Sequence, residues 1–259
     1  MSHQAKKRFG QNFLVDENII ADIVGAINPK FDDNMVEIGP GLGALTRPLL
    51  KKLKCLHVVE IDRDIIARLS SDYPQPNEKL VIHAGDALKF DLSTLPSPLR
   101  IVGNLPYNIS SPLLFHFAEH ADRIADMHFM LQNEVVERMV ADPSTPAYGR
   151  LSVMLQYRFY MEKLLDVSPE SFRPQPKVNS AIVRMIPLPA DRILVKNEAL
   201  FARIVGSAFG QRRKTLRNTL REFLDEGGFA DLGINPQLRA ENLSVVEFAK
   251  ITSYLDERA

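Results

Sequence analysis

Met35-Val-Glu-Ile-Gly-Pro-Gly-Leu-Gly43 is the stretch on which the reading of the chain turns. A short apolar run, residues 35–38, stops at three glycines spaced two apart: Gly39, Gly41 and Gly43. The run reads as a buried parallel strand, and the amphipathic residues 44–53 read as the helix after it. Glycines at such a junction let the backbone turn sharply and come close to a ligand that a side chain would block. A nucleotide-like cofactor above the carboxyl end of the strand is the expected occupant. The spacing also satisfies G-x-G-x-x-A (Gly39, Gly41, Ala44), so the loop alone does not separate a dinucleotide site from one for another adenosine cofactor.

Outward from this loop, strand and helix signals alternate. Residues 56–61, 80–83, 100–102 and 127–131 read as strands; residues 63–70 and 110–120 read as helices. This rhythm implies an α/β fold with a Rossmann-like parallel sheet covered on both faces. Ligand groups should gather at the carboxyl ends of its strands. Glu60, Asp86 and Asn104–Tyr107 each sit at such an end, as the glycine loop does. Before the loop, Asp16 reads as the N-cap of a helix carrying Ile19, Ile20, Ile23, Val24 and Ile27, and Asn28-Pro29 ends it. The basic arm 1–15, anchored by Phe9, Phe13 and Leu14, is expected to pack. After the sheet signals, three prolines in residues 169–178 mark an ordered irregular loop, and residues 180–186 a last strand. Residues 187–197 form a linker, and from residue 198 the pattern is helical throughout. The expected division is a catalytic domain, 1–187, and a small all-helical domain, 188–259.

Size and composition narrow the classes. A chain of 259 residues can bury a full core. No apolar run approaches a membrane span, and the basic N-terminus lacks the apolar stretch of a secretory signal, so a cytoplasmic protein with no membrane partner is expected. The single cysteine, Cys55, excludes an internal disulfide framework and reads as core. The six histidines are scattered and no zinc spacing occurs, so no metal is expected. Thirty-two basic residues balance 32 acidic ones, yet between Arg203 and Arg221 there are six Lys/Arg and no Asp/Glu. Lys6, Lys7 and Arg8 form a second basic cluster.

Glu60 follows the second strand, 21 positions after Gly39. A carboxylate there can accept a hydrogen bond from each of two ribose hydroxyls, in NAD and S-adenosylmethionine alike. Its other reading is a helix N-terminal charge. Asp86 is an acceptor for an adenine amino group, or else the N-cap of the turn that follows. Asn104-Leu-Pro-Tyr107 carries the chemistry. An adenine N6 is a poor nucleophile because its lone pair is delocalised into the ring. The Asn104 side-chain oxygen and the Leu105 carbonyl can accept hydrogen bonds from it and favour the tetrahedral amine as positive charge grows. Tyr107 would stack on an extruded base, and placement in line with an already activated sulfonium methyl needs no strong base.

Across nearly its whole length the chain resembles the small-subunit ribosomal RNA adenine N6,N6-dimethyltransferases. The resemblance is carried by Phe9-Gly-Gln-Asn-Phe-Leu14, Glu37-Ile-Gly-Pro-Gly-Leu-Gly43, Val59-Glu-Ile-Asp62, Gly85-Asp-Ala-Leu88, Gly103-Asn-Leu-Pro-Tyr-Asn-Ile-Ser110, Phe172-Arg-Pro-Gln-Pro-Lys-Val178 and Gln211-Arg-Arg-Lys-Thr-Leu-Arg217. It implies a class I S-adenosylmethionine-dependent methyltransferase, with Asn12, Leu14, Gly39, Gly41, Glu60, Asp86 and Asn104 around the cofactor. It also implies an amine site of Asn104, Leu105 and Tyr107, with Phe172 on the other face of the adenine. The implied substrate is a pair of adjacent adenosines in the 3′-terminal hairpin loop of 16S rRNA, each taking two methyls, within an immature 30S subunit. A monomer is expected. Arg212, Arg213, Lys214, Arg217 and Arg221 are then RNA contacts, and the four-residue spacing of 213, 217 and 221 suggests one helix face. Rival readings are a 23S rRNA adenine methyltransferase of the macrolide-resistance class, a DNA adenine methyltransferase, and a non-catalytic ribosome-assembly factor.

Overall fold

The structure, a computed structural model, describes residues 11–75, 77–192 and 195–258. The basic cluster Lys6, Lys7 and Arg8 and the anchor Phe9 lie outside the described residues. The chain divides into two compact units. One comprises the described residues up to Val136 together with Glu162–Pro187; the other comprises Glu137–Met161 and the described residues from Leu188 onward. Residues 137–161, which the sequence reading groups with the first domain, therefore belong with the helical unit. The reason is packing: Tyr148, Val153 and Tyr157 are buried in one apolar cluster with Phe201, Ile204 and Val205.

The first unit starts with a two-residue strand, β1 (Phe13–Leu14), and α1 (Glu17–Ile27). The Asp16 side chain accepts from the amides of Asn18 and Ile19, and Asn28 ends the helix in the left-handed region at φ 47°. Then come β2 (Asn34–Ile38), α2 (Thr46–Leu50), β3 (Leu56–Glu60), α3 (Arg63–Asp72), β4 (Leu80–Ala84), β5 (Leu99–Asn104), α4 (Ser110–Ala118) and β6 (Ile124–Gln132). Helix α2 is shorter than the apolar pattern of 44–53 because residues 41–45 are used up by the turn. Strands β4-β3-β2-β5-β6 lie side by side in that order, every neighbouring pair parallel. The order reverses at β2, which opens a crevice at the carboxyl ends of β2, β3 and β5.

Helices α5 (Asn133–Met139) and α6 (Arg150–Gln156) precede β7 (Phe159–Val167), β8 (Phe172–Arg173) and β9 (Ser180–Pro187). The full sheet has seven strands, with β9 between β6 and β7. Strand β9 departs from the all-parallel expectation. It enters beside the carboxyl end of β6, where Ser180 faces Gln132, and runs back antiparallel. Strand β8 leaves the main sheet to pair with β1, Leu14 opposite Phe172, and the amide of Val15 donates to Ser171 O at 2.8 Å. The arm is thereby stitched to the segment that leads into the proline loop.

In the second unit α6 is joined by α7 (Glu198–Phe209), α8 (Leu216–Thr219), α9 (Glu226–Leu232) and α10 (Val245–Asp256) around buried Phe201, Leu216, Leu220, Phe229 and Phe248. Asn197, Asp225 and Ser244 cap α7, α9 and α10 with their side chains. Helix α8 is only four residues long, so Arg213 precedes it and Arg221 follows it in turns. The expectation that 213, 217 and 221 share one helix face is not met, because the helix ends at Thr219 and Arg213 and Arg221 stand in the turns on either side.

Candidate active site

Three alternate residues, Gly39, Gly41 and Gly43, adopt positive φ of 66°, 54° and 81°. A side chain at any of them would be strained, and a Cβ at Gly41 would also come within 3.1 Å of the Phe13 ring. The loop curves over a cavity of about 260 Å³ at the carboxyl end of the sheet. Asn12, Leu14, Gly39, Gly41, Glu60, Asp86 and Asn104 all line that cavity, as do Leu105 and Tyr107. The donor set and the absence of a Cβ at Gly39, Gly41 and Gly43 suit an adenosine-type cofactor.

Two buried carboxylates sit on the wall. Glu60, at the end of β3, is 7% exposed, and its Oε1 accepts from the amides of Ile61 and Asp62, each at 2.8 Å. Burial raises its pKa above the ordinary carboxylate value, while those amide hydrogen bonds and that of Gly41 oppose the shift. Glu60 thus braces the backbone that leads into α3 and also lines the cavity. Glu37 is not among the residues that the sequence singles out. It is 2% exposed on β2, its Oε2 accepts from the Thr46 hydroxyl at 2.7 Å, and burial pushes its pKa up to about 7. The available signal is a carboxylate inside a strand whose neighbouring residues are apolar. Asp86 caps the turn Ala87–Lys89 by accepting from the Leu88 amide at 3.0 Å, and lines the cavity as well.

The amine corner is built by the end of β5. Gly103 lies so close to β2 that a Cβ would come within 2.5 Å of Ile38 O, which is why this position carries no side chain. The next residue, Asn104, is half-buried, and its Nδ2 donates to Asn12 O at 3.0 Å. With the amide nitrogen engaged by the arm, the Oδ1 remains as the acceptor end of the group. The Leu105 amide donates to Met130 O at 3.2 Å and its side chain is buried. Tyr107 follows on the cavity wall, its hydroxyl 2.7 Å from Ser180 Oγ, and burial raises its pKa above the ordinary phenol value.

Phe172 requires correction. The ring is fully buried, packed in the cluster that holds Leu14, Val102, Met130 and Ile182, and it does not line the cavity. Cross-strand pairing with Leu14 draws it into the core, so it offers no face to an adenine here.

The basic residues of the second unit separate into two groups. Arg212 donates to Pro146 O at 3.1 Å and lines two adjoining cavities of about 320 and 350 Å³. Arg138 and Arg150 border the first cavity and Arg213 and Arg239 the second; sequence spacing points to neither Arg138, Arg150 nor Arg239. Lys214 and Arg221 are exposed and border neither, and Arg217 is ion-paired with Glu226. Among the described residues no group of three or more His, Cys, Asp or Glu could hold a metal ion, and no helix is long and apolar enough to cross a membrane.

A model of the ribosomal RNA adenine dimethylase family matches residues 2–257. The chain belongs to that family. It is 64% identical to the ribosomal RNA small subunit methyltransferase A of Aromatoleum aromaticum over 98% of its own length and 95% of that protein. It is 60% identical to the protein of that name from Chromobacterium violaceum, over 99% and 97%. Among solved structures it is similar to a dimethyladenosine transferase from Plasmodium falciparum, with 26% identity, a TM-score of 0.82 and coverage of 95% and 98%. The 23S rRNA methyltransferase ErmE is also similar, with 25% identity, a TM-score of 0.74 and coverage of 95% and 100%. The fold is therefore that of a class I methyltransferase with a helical C-terminal part, and the chain is an S-adenosylmethionine-dependent rRNA adenine dimethyltransferase.

Proposed function

We propose that this chain transfers two methyl groups to N6 of each of two adjacent adenosines in the 3′-terminal hairpin loop of 16S rRNA, acting on an immature 30S subunit. The chain works as a monomer in the cytoplasm. The single observation that supports this most is the orientation of Asn104. Its Nδ2 is committed to the arm at Asn12 O, which leaves Oδ1 as an acceptor beside Leu105 and Tyr107. An acceptor there suits an exocyclic amine, which donates before transfer and gathers positive charge during it.

Gly39, Gly41, Glu60 and Asp86 would hold the cofactor, with Glu60 accepting from ribose hydroxyls and Asp86 from the adenine amine. Bound there, S-adenosylmethionine supplies an electrophilic methyl. Asn104 and the Leu105 carbonyl hold N6 as it becomes tetrahedral, and the Tyr107 ring carries the extruded base. No side chain has to remove a proton before the methyl is transferred. Each transfer leaves a cationic N6 that gives up one proton to water. After the first, the neutral methylamino nitrogen keeps one hydrogen, which one of the two acceptors can hold, and a lone pair free to attack a second methyl.

In the second unit, Arg138, Arg150, Arg212, Arg213 and Arg239 border the paired cavities, with Glu241 the carboxylate between them. We assign phosphate contact to this concave basic region, together with exposed Lys214 and Arg221, in place of a single helix face. The 64% identity to a protein named for the small subunit favours that substrate over the 23S alternative. Labelled S-adenosylmethionine supplied with unmethylated 30S particles, 50S particles and DNA tests the assignment. Label should enter 30S alone and map to neighbouring adenosines near the 3′ end; label in 50S or DNA would refute it.

A further inference from the structure

We infer that Ser180 is a positioning residue for methyl transfer, acting through Tyr107; the inference rests on the amine-site reading given above. Two observations carry it. The Tyr107 hydroxyl and Ser180 Oγ are 2.7 Å apart, and among the described residues each hydroxyl has this one partner. Ser180 is fully buried, the first residue of β9 and the first after the exposed stretch Gln175–Asn179, where only Pro176 is half-buried.

A tyrosine ring that stacks on a base has to hold its plane. At its root, Tyr107 follows Pro106, whose φ is fixed by its ring, and buried Leu105, whose amide is bonded to Met130 O. That leaves the side-chain torsions, and a hydroxyl tether at the far end of the ring removes them. Ser180 is well suited to provide it, since its backbone is held in the sheet opposite Gln132 while its side chain is short and has few rotamers. The ring is then ordered before the base arrives, and the entropy of fixing it is not charged to binding or to the transition state. An apolar residue at 180 would leave a half-buried phenolic hydroxyl without its protein partner and would let the ring swing. The tether also joins two distant pieces of the chain: the β5 terminus with the acceptors, and the end of the proline loop that follows β8.

The test uses the full chain, labelled S-adenosylmethionine and unmethylated 30S particles. Ser180→Ala, Tyr107→Phe and the double variant are compared for kcat, for KM of the cofactor, and for cofactor affinity by calorimetry. Each single variant should lower kcat roughly three- to tenfold, since one neutral hydrogen bond is removed, with cofactor KM and affinity unchanged. The double variant should be no slower than either single one, because both remove the same tether. Tyr107→Phe keeps the ring and fills the same space, so it carries the test if Ser180→Ala fails to fold. An unchanged kcat in Tyr107→Phe, losses that multiply in the double variant, or a parallel fall in cofactor affinity would overturn the inference. If the unaltered chain moves no label to 30S, the parent reading falls and takes this one with it; if it does and the variants match it, only the tether is wrong.

Discussion

In the first unit, the polar groups that line the cavity are held by hydrogen bonds within the protein. Glu60 is bonded to two amides, Asn104 to the arm, and Tyr107 to Ser180. In the second unit, Arg213, Lys214 and Arg221 stand on turns with their side chains exposed. The difference follows from range. A methyl transfer depends on where N6 sits to within tenths of an ångström, so its acceptors have to be fixed in advance. Attraction to phosphates falls off over about 8–10 Å at ordinary salt and tolerates a swinging side chain. Damage to the first region should therefore appear in kcat, cofactor affinity or stability. Damage to the second should appear in substrate affinity and in its response to salt.

The largest effect should come from Asn104→Ala. Loss of a preorganised group that acts on developing charge costs on the order of 100-fold in kcat. Cofactor affinity should change by less than about tenfold, since one neutral hydrogen bond is at stake. Single-turnover transfer to 30S and calorimetry of the cofactor measure the two. Equal losses would mean that Asn104 only builds the pocket, and the contrast between the units would lose its best support.

Glu37 sharpens the same contrast through pH. Its carboxyl sits at about 7 in the folded chain against an ordinary 4.5. Below about 4.5 it is protonated in both folded and unfolded chains. As pH rises toward 7 the unfolded chain gives up the proton first, so folding stability falls, by at most about 3 kcal/mol, and levels off above 7. The raised pKa of Glu60 acts in the same sense. Urea midpoints of the cofactor-free protein between pH 4.5 and 7.5 should decline in the unaltered chain and less steeply in Glu37→Gln. Identical slopes would show that burial of Glu37 stores no such penalty.

The two regions also differ in how much of them is legible in the sequence. The glycine loop, Glu60, Asp86 and the run from Asn104 to Tyr107 are legible because each depends on a few adjacent residues and on ending a strand at the same side of a parallel sheet. What escapes depends on partners far away in sequence. Phe172 enters the core because Leu14, more than 150 residues earlier, pairs with it. Residues 137–161 join the helical unit because Val153 and Tyr157 pack beside Phe201. Ser180 carries no local mark of its role, which is defined by a hydroxyl across the sheet, and Glu37 shows only as a carboxylate among apolar strand residues, its raised pKa being set by burial. The single helix face expected for 213, 217 and 221 is lost because α8 spans only Leu216–Thr219, and four-residue spacing alone does not show where a helix stops.

Reversing Arg212 and Arg213 to glutamate tests the second unit directly. Affinity for 30S particles should drop by about tenfold or more, and the slope of log affinity against log salt should shrink by roughly one for every phosphate that is no longer neutralised. At saturating substrate, kcat should stay within about twofold. A kcat that collapses with affinity unaltered would place these arginines in the chemistry instead of the docking.

Arg217→Ala should have the smallest effect, and the reason makes it useful. Arg217 is already paired with Glu226, and both side chains are more than half exposed, at 53% and 73%. Such pairs contribute about 0–1 kcal/mol to folding, so the thermal midpoint should move little. A guanidinium that already has a carboxylate beside it also adds little net positive potential for a phosphate to meet. The salt slope should therefore shrink less for Arg217→Ala than for Arg213→Ala, although the two arginines lie four positions apart. If the two slopes shrink equally, Glu226 gives up its partner when RNA arrives. Glu226→Gln would then be expected to strengthen 30S binding, a gain absent if Arg217 keeps its carboxylate throughout.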